Sequence, residues 1–147
     1  MKYKMSAATV KNIDVEGVVL SNHPLTNIEL VDAAKKLNIP NFKGVFLRDT
    51  LPKKPRKNEC GILNLDDSNG SGSHWCFFSK RGKEQLYFDS YGLPPPTELL
   101  EYLKGPVLYN SERIQPDNEV FCGHLCLYVL KKLSEGHEFQ TIINDLY

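Results

Sequence analysis

Apolar side chains recur at the spacing of an α-helix after Leu25, and this pattern predicts the first helix of the chain. Thr26 followed by Glu29 is a capping-box pair that predicts where the helix begins, and Pro40 is expected to end it near Leu37. Similar patterns predict helices over 97–103, 120–133 and 137–147. The segment 120–133 is apolar on nearly every side, which indicates a buried central helix.

Short runs of apolar and β-branched residues predict the strands. They cover 43–47, 60–65, 74–79, 85–89 and 107–109, and the last is expected at a sheet edge. Residues 1–24 are weakly patterned, with one candidate strand over 14–20, and are expected to form an N-terminal arm or an edge strand. Because 147 residues suit one hydrophobic core, the sequence predicts a single domain over 1–147.

Composition limits the binding partners and the cellular location that we expect for the protein. Lysine and arginine number 18, as do aspartate and glutamate, so a formal net charge of +0 gives no general attraction to nucleic acid or anionic membranes. No apolar run reaches the ~18 residues of a transmembrane helix, and the N-terminus lacks the apolar core of a signal peptide. We therefore expect an intracellular or packaged protein that is not secreted and has no membrane partner.

Four cysteines, at positions 60, 76, 122 and 126, allow two disulfides on paper, but a reducing compartment argues against them. Zinc binding is the other interpretation, because Cys122, Cys126 and His137 are ligand types. No second cysteine or histidine pair lies at zinc-finger spacing, however. The prediction is free thiols and no metal site.

Four polar residues that are far apart in the sequence form a complete set for cutting an amide bond with a cysteine. Cys122 would supply the thiolate nucleophile, His74 would move the proton, and Asp89 would hold the imidazole. Gln115 would donate a hydrogen bond to the oxyanion. Each residue alone has an ordinary structural interpretation, such as packing for a buried cysteine. Their combination favours one active site.

A hairpin between the strands at 74–79 and 85–89 provides a geometric test of this set. If its turn is centred on Arg81 and Gly82, antiparallel pairing places His74 directly opposite Asp89. Directly opposed side chains have Cβ atoms about 4.5–5.5 Å apart, which lets a carboxylate accept a hydrogen bond from the imidazole. A shift of one residue would move the two side chains to opposite faces.

Cys122 lies near the start of the predicted central helix, with Asn118 as the expected N-cap. The positive end of the helix dipole favours a thiolate at this position. The backbone N–H of Cys122 would face the oxyanion together with the Gln115 side chain. Gly123 is expected to leave room for a substrate backbone beside the sulfur.

Neighbouring residues have mainly structural interpretations. Trp75 lies on the opposite strand face from His74 and is expected in the core, or as a wall of a substrate groove. Cys126 lies one helical turn after Cys122 and is expected in the core. His124 points elsewhere on the helix and is expected to be exposed or partly buried.

The motifs around these residues resemble adenain, the adenovirus-type cysteine protease, and more distantly the Ulp1-like proteases that cleave ubiquitin-like modifiers. The resemblance covers Leu25 to about Leu133. Its strongest motifs are Gly72-Ser-His74-Trp75, Tyr87-Phe-Asp89-Ser-Tyr-Gly92 and the spacing Q-x2-N-x3-C-G-x2-C that begins at Gln115. Adenain has glutamate at the position of Asp89, whereas the Ulp1-like branch accepts aspartate there.

This resemblance implies an α+β fold, with a central mixed β-sheet packed by helices and the nucleophile at the N-terminus of a buried central helix. It also implies that His74 is the general base, Asp89 its orienting acid and Cys122 the nucleophile, with Gln115 and Cys122 forming the oxyanion hole. The implied substrates are protein precursors with glycine-containing, Gly-Gly-type cleavage sites. Such maturation enzymes act in the host cytoplasm or nucleus, or in the virion.

The same resemblance implies that no cofactor is required, although an activating peptide that adds a strand to the sheet, or DNA, stimulates adenain. The one basic cluster that DNA could contact is Lys53-Lys-Pro-Arg-Lys57. Two alternative functions stay open. The first is a deubiquitinase or SUMO-type isopeptidase that acts on ubiquitin-like tails. The second is a catalytically idle domain that only binds glycine-rich peptides.

Overall fold

The computed structural model describes residues 12–66, 74–114 and 121–147. Within these ranges the chain forms an α+β fold with a central mixed sheet, as the sequence predicts. The elements, in chain order, are β1 (Asn12–Val15), β2 (Val18–Ser21), α1 (Asn27–Lys36), β3 (Phe42–Leu47), β4 (Asn58–Asn64), β5 (Trp75–Arg81), β6 (Glu84–Phe88), α2 (Thr97–Leu103), β7 (Leu108–Tyr109), α3 (Cys122–Ser134) and α4 (Phe139–Leu146).

Five strands of the described chain form the central sheet, in the order β3-β4-β5-β6-β7. The inner pairs β4-β5 and β5-β6 are antiparallel, whereas the outer pairs β3-β4 and β6-β7 are parallel. The central strands are buried on both faces, which explains why β5 and β6 contain near-continuous apolar runs. The edge position predicted for 107–109 is confirmed by β7.

Each face of the sheet packs against its own cluster of apolar side chains. Phe77 and Phe88 join the larger cluster, which includes helices α1, α3 and α4. Phe78 and Tyr87 belong to the smaller cluster, which helix α2 covers. Helix α3 is buried along most of its length, so the predicted central helix is confirmed. Its first residue, Cys122, lies beside Trp75 at the beginning of β5.

The capping box predicted at the start of α1 is confirmed. The backbone N–H of Glu29 donates to the Thr26 hydroxyl at 3.2 Å, and the N–H of Thr26 donates to the Glu29 carboxylate at 3.0 Å. These bonds satisfy two N–H groups that a helix start leaves without intrahelical partners. They also fix the position of Leu25, which lies directly before the helix and beside α3.

The N-terminal region differs from the expected arm or edge strand. Residues 14–20, expected as one strand, contain a turn at Gly17, which has a φ of 90°. Gly17 donates its N–H to the carboxylate of Asp14 at 2.7 Å, so β1 and β2 form a hairpin. This hairpin is a separate two-stranded sheet and does not extend the central one. The part of the arm over 1–11 lies outside the described residues.

The predicted register of the β5-β6 hairpin is wrong by two residues. Arg81 pairs with Glu84 and Phe77 with Phe88, so the turn consists of Gly82 and Lys83. Gly82 has a φ of 59°, and a two-residue hairpin loop with glycine first suits the twist of the flanking strands. A shift of two residues keeps every side chain on its predicted face, unlike a shift of one.

Candidate active site

Cys122 is the first residue of α3 and is 8% exposed. The N-cap position is occupied by Phe121, so the prediction of Asn118 as N-cap is wrong. Asn118 itself lies outside the described residues. At the first helical position, the N–H of Cys122 has no intrahelical acceptor, which makes it available to an anion. The N–H of Trp75 donates to the Cys122 sulfur at 3.4 Å, so the sulfur lies at the beginning of β5.

His74 and Asp89 are brought together beside this sulfur. His74 Nε2 donates to Asp89 Oδ1 at 2.7 Å, and both side chains are buried. The observed hairpin register, continued past the strand ends, places His74 opposite Tyr91 and makes Asp89 its diagonal neighbour. Diagonal neighbours on one face still lie within reach of long side chains. The predicted contact is therefore present, although the predicted direct pairing is not.

The protonation of His74 reflects opposing effects. Burial lowers the pKa of His74. Hydrogen bonds to Asp89 and to Cys122, together with the negative charges of both groups, raise this pKa and outweigh the effect of burial. The result is a pKa of about 9, above the ordinary value of 6.5. Since Nε2 is occupied by Asp89, the other ring nitrogen remains for the thiol. An imidazolium between a thiolate and a carboxylate is the arrangement that activates a cysteine nucleophile.

Tyr91 covers one face of the His74 ring. The two rings are stacked, with centroids 4.3 Å apart and an angle of 9° between their planes. On the tyrosine ring lies the guanidinium of Arg113, 4.9 Å from the centroid. The N–H of Tyr91 also donates to Asp89 Oδ1 at 2.8 Å. Tyr91 thus restricts the imidazole through its ring and the carboxylate through its backbone.

The predicted role of Gly123 is not what the structure shows. A Cβ atom on Gly123 would lie 3.2 Å from Leu30 Cδ2, 3.3 Å from Trp75 Cδ1 and 3.5 Å from Leu25 Cβ. The missing side chain therefore faces the protein interior and leaves no room for substrate on that side. Glycine fits tightly here because α3 approaches Leu30 of α1 and the indole ring closely.

Trp75 has mainly a packing role, which was the first of its two predicted roles. Its side chain is partly buried against the larger cluster, and its indole N–H donates to the Leu25 carbonyl at 2.8 Å. The indole thus links the start of β5 to the segment before α1. Nothing in the described contacts makes it a groove wall.

The other cysteines and His124 are buried among structural residues. Cys60, Cys76 and Cys126 are free thiols, as is Cys122, and burial raises the pKa of the first three. This agrees with a core role for Cys126. The expectation of an exposed or partly buried His124 is wrong, because it is wholly buried and its Nε2 donates to the Ser21 carbonyl at 2.7 Å.

The remaining predictions about the site concern Gln115, metals and membranes. Gln115 lies outside the described residues, so its role as an oxyanion donor stays a prediction. Among the residues that the structure describes, no cluster of three or more His, Cys, Asp or Glu side chains could hold a metal ion. Helices long and apolar enough to cross a bilayer are likewise absent from the described ranges.

Sequence reasoning missed Tyr91 and Asn110. Tyr91 lies two residues after Asp89 and therefore on the same face, so a correct hairpin register would have placed it opposite His74. Asn110 follows the edge strand β7 and is 1% exposed. Its side chain hydrogen-bonds to the backbone of Asp89. No local pattern identifies such a contact, because it depends on the parallel pairing of β6 and β7.

The fold is similar to that of a known viral protease. The crystal structure of the ASFV pS273R protease matches with a TM-score of 0.59 and 18% identity, over 86% of this chain and 66% of the protease. Its selenomethionine form matches with a TM-score of 0.58 and 17% identity, over the same shares. This chain thus spans slightly less than two thirds of that protease. The likeness establishes a shared α+β fold. No family model and no curated protein matches the sequence.

Proposed function

We propose that the protein is a cysteine endopeptidase in which Cys122 is the nucleophile, His74 the general acid–base and Asp89 the orienting acid. One observation carries the proposal: the buried His74 imidazole donates a hydrogen bond to a carboxylate at 2.7 Å and has the thiol at the start of α3 as its second hydrogen-bonding neighbour. Structural cysteines rarely have such neighbours, since they pack as small apolar groups. The fold shared with a viral protease adds support.

Acylation would begin with a thiolate at Cys122 and an imidazolium at His74. The thiolate attacks the carbonyl carbon of the scissile bond, and the carbonyl π electrons move to the oxygen. The N–H of Cys122 and the side-chain amide of Gln115 would donate to this oxyanion. Collapse of the intermediate breaks the C–N bond while His74 gives its proton to the leaving amine. A thioester and neutral His74 remain.

Deacylation would use the same groups in the opposite protonation states. Neutral His74 removes a proton from water, and the oxygen attacks the thioester carbon. The C–S bond breaks, Cys122 leaves as a thiolate, and a carboxylic acid is released. The imidazolium is restored, so the cycle needs no metal or organic cofactor.

The substrates would be protein precursors cut at Gly-Gly-type sites, in a virus or a virus-derived element. This finer proposal is supported by the adenain resemblance of the motifs around His74, Asp89 and Cys122. It is further supported by the fold shared with the ASFV pS273R protease. An isopeptidase of ubiquitin-like tails would use the same chemistry and is the main rival.

An activating peptide or DNA belongs to the proposal through the same resemblance. The cations that DNA could contact, Lys53, Lys54, Arg56 and Lys57, are exposed. If DNA stimulates cleavage, the effect should weaken steeply as salt rises, because phosphate contacts release counterions. Cleavage rates with and without duplex DNA, at two salt concentrations, test this point.

The nucleophile is tested by replacing Cys122 with alanine. Cys122→Ala is expected to abolish cleavage of Gly-Gly peptides and to prevent modification by iodoacetamide near neutral pH, while the fold is retained. Cys126→Ala is the matched control, since it removes a buried thiol from the same helix and should keep the activity. Peptide cleavage by the Cys122→Ala protein would exclude this residue as the nucleophile.

The same assays separate the rival functions. Selective cleavage of ubiquitin-like fusions over Gly-Gly peptides would favour the isopeptidase. A folded wild-type protein that cleaves neither and whose Cys122 resists iodoacetamide would be an idle binding domain. Added chelator is expected to leave the rate unchanged, and loss of activity would require a metal.

A further inference from the structure

Asn110 follows β7 and contacts the backbone of Asp89 with both ends of its side-chain amide. The N–H of Asp89 donates to Asn110 Oδ1 at 3.1 Å, and Asn110 Nδ2 donates to the Asp89 carbonyl at 2.7 Å. Both residues are buried, at 1% and 0% exposed. Two bonds from one planar group fix the distance and the orientation of the Asp89 peptide.

The Asn110 side chain extends the hydrogen-bonding pattern of the β6-β7 pair beyond the end of strand β7. Leu86 pairs with Leu108 and Tyr87 with Tyr109 in the parallel β6-β7 pair, and the strand β7 then ends. One residue later, the amide of Asn110 supplies the donor and the acceptor that a further strand residue would offer. The main chain can therefore leave the sheet at Asn110 while the Asp89 backbone stays paired.

The carboxylate of Asp89 depends on this backbone support. Its Oδ1 accepts from His74 and from the N–H of Tyr91, whereas its Oδ2 is buried without a hydrogen-bond partner among the described residues. Both hydrogen bonds that the described residues make to this carboxylate therefore converge on Oδ1. The position of the backbone thus determines where Oδ1 meets the imidazole.

The segment after Asn110 is hydrogen-bonded to Asn110 itself and to the turn that begins at Asp89. The second amide hydrogen of Asn110 donates to the Glu112 carbonyl at 3.1 Å. The N–H of Ile114 donates to the Ser90 carbonyl at 2.8 Å. Residues 110–114 are therefore held against the turn that begins at Asp89, and Ile114 directly precedes the predicted oxyanion donor Gln115. One amide connects the orienting acid with the segment that leads to the oxyanion hole.

We propose that Asn110 is a positioning residue. Its side-chain amide replaces the next backbone hydrogen bonds of the β6-β7 pair and thereby holds the orienting acid Asp89 in contact with His74. The inference rests on the proposed peptidase function, because Asp89 matters only if His74 acts in the reaction. Asn110 itself touches no reacting atom. Loss of the Asn110 amide should therefore change the position and the pKa of the His74 imidazole more than it changes substrate binding.

The test compares Asn110→Ala with a control of the same kind. Gln85 is 5% exposed, and its amide donates to the carbonyls of Lys104 and Pro106 at 2.6 and 3.1 Å, at the other end of β6. Gln85→Ala thus removes a buried amide that also links β6 to the flank of β7. Both variants should lose stability in urea unfolding, since each removes hydrogen bonds between a buried side-chain amide and the backbone.

Only Asn110→Ala is expected to change the site. The kcat for a Gly-Gly peptide should fall about 100-fold with little change in KM, as for other displacements of about 1 Å from the working geometry. The pKa of His74, followed by NMR titration, should move from about 9 towards 6.5. Gln85→Ala should match the wild type in both measurements. The titration does not depend on peptide cleavage, so it tests Asn110 even if the wild type proves inactive.

The inference is overturned if Asn110→Ala keeps the wild-type His74 titration and kcat and loses only stability, as Gln85→Ala does. If Asn110→Ala does not fold, Asn110→Ser is the second variant, because its short hydroxyl cannot reach both backbone groups of Asp89. An unchanged His74 titration in folded Asn110→Ser protein would equally overturn the inference.

Discussion

At the scale of single residues, the environment of His74 is the most informative feature of the molecule. Burial alone would favour a neutral imidazole, but the hydrogen bonds and charges of Asp89 and Cys122 outweigh it and raise the pKa to about 9. A buried histidine without such partners behaves differently. His124 donates to the Ser21 carbonyl and has no carboxylate among its described hydrogen-bond partners, and burial lowers its pKa. The two histidines show how neighbours, more than burial, decide the charge.

This balance predicts the effect of Asp89→Asn. The amide retains the size of the carboxylate but removes its charge, so the imidazolium loses its main stabilising partner. By analogy with orienting acids in catalytic triads, turnover should fall by as much as about 10,000-fold while the fold is retained. Single-turnover cleavage and circular dichroism measure the two quantities. Asp32→Asn, at an exposed position on α1, should have the wild-type rate.

The prediction fails if Asp89→Asn protein cleaves peptides at a rate close to that of the Asp32→Asn control. In that case the 2.7 Å contact between Asp89 and His74 would be structural only.

At the scale of elements, the turn after β6 has the strictest geometric requirement. The N–H of Gly92 donates to the Asp89 carbonyl at 2.8 Å, and Gly92 has a φ of 72°. A Cβ atom there would lie 2.6 Å from the Ser111 carbonyl oxygen and 3.0 Å from that of Glu112. These are backbone atoms, which cannot rotate away as side chains do. The turn that follows Asp89 therefore strongly favours glycine.

Gly92→Ala and Gly82→Ala separate backbone strain from this close approach. Gly82 has a φ of 59° and no heavy atom within 4 Å of a built Cβ, so Gly82→Ala should cost only the ~1–2 kcal/mol of a left-handed alanine. Gly92→Ala adds a clash with main-chain atoms and should cost about 1–3 kcal/mol more. Urea unfolding compares the two free energies. Equal losses would show that the 111–112 backbone yields easily.

The β5-β6 hairpin shows what local reasoning about elements achieves and where it fails. Alternation placed His74 and Asp89 on one face, and this is correct. The sequence predicts a turn at Arg81-Gly82, whereas the turn consists of Gly82 and Lys83, so the observed register differs by two residues. The even shift preserved the face but hid Tyr91, the residue stacked on the imidazole. A rule that prefers glycine at the first loop position would have found it.

At the scale of the whole molecule, the site lies where two layers meet. His74 directly precedes β5 and Asp89 directly follows β6, whereas the buried helix α3 contributes Cys122. The layers are joined there by the Trp75 N–H on the sulfur and by the close contact of Gly123 with the indole. The candidate catalytic groups thus lie on or directly beside buried elements of the described fold, which favours a rigid site.

The raised pKa of His74 predicts how stability depends on pH. Because the pKa rises from 6.5 to about 9 on folding, the folded state holds this proton more tightly than the unfolded chain. The resulting stabilisation is fully present below about pH 6.5 and is lost as the pH rises through about 9. The melting temperature of the wild type should therefore decline over this window.

His74→Gln is the matched variant for the pH prediction, because it keeps a polar side chain that does not titrate. Its melting temperature should decline less between pH 6.5 and 9 than that of the wild type. Parallel curves for the two proteins would mean that other groups, and not His74, govern alkaline stability.

The sequence by itself determined most of the helices and the strands of the central sheet, the faces of the strands and the residue types of the candidate site. The capping box at Thr26, a buried helix over about 120–133 and the placement of His74 and Asp89 on one face all follow from spacing within about 20 residues. The periodicity of apolar residues directly indicates which nearby residues share a helix or a strand face. The motifs that resemble adenain predicted the same three residues, His74, Asp89 and Cys122, from their order along the chain.

Only the tertiary structure decided which residues support that site. The parallel pairing of β6 and β7 brings Asn110 to Asp89, and the approach of α3 to α1 determines that Gly123 faces the interior. The β1-β2 hairpin stays outside the central sheet for a similar reason, since its apolar side chains pack against the helical layer. Contacts between segments far apart in sequence depend on how layers pack, and no local pattern encodes that packing.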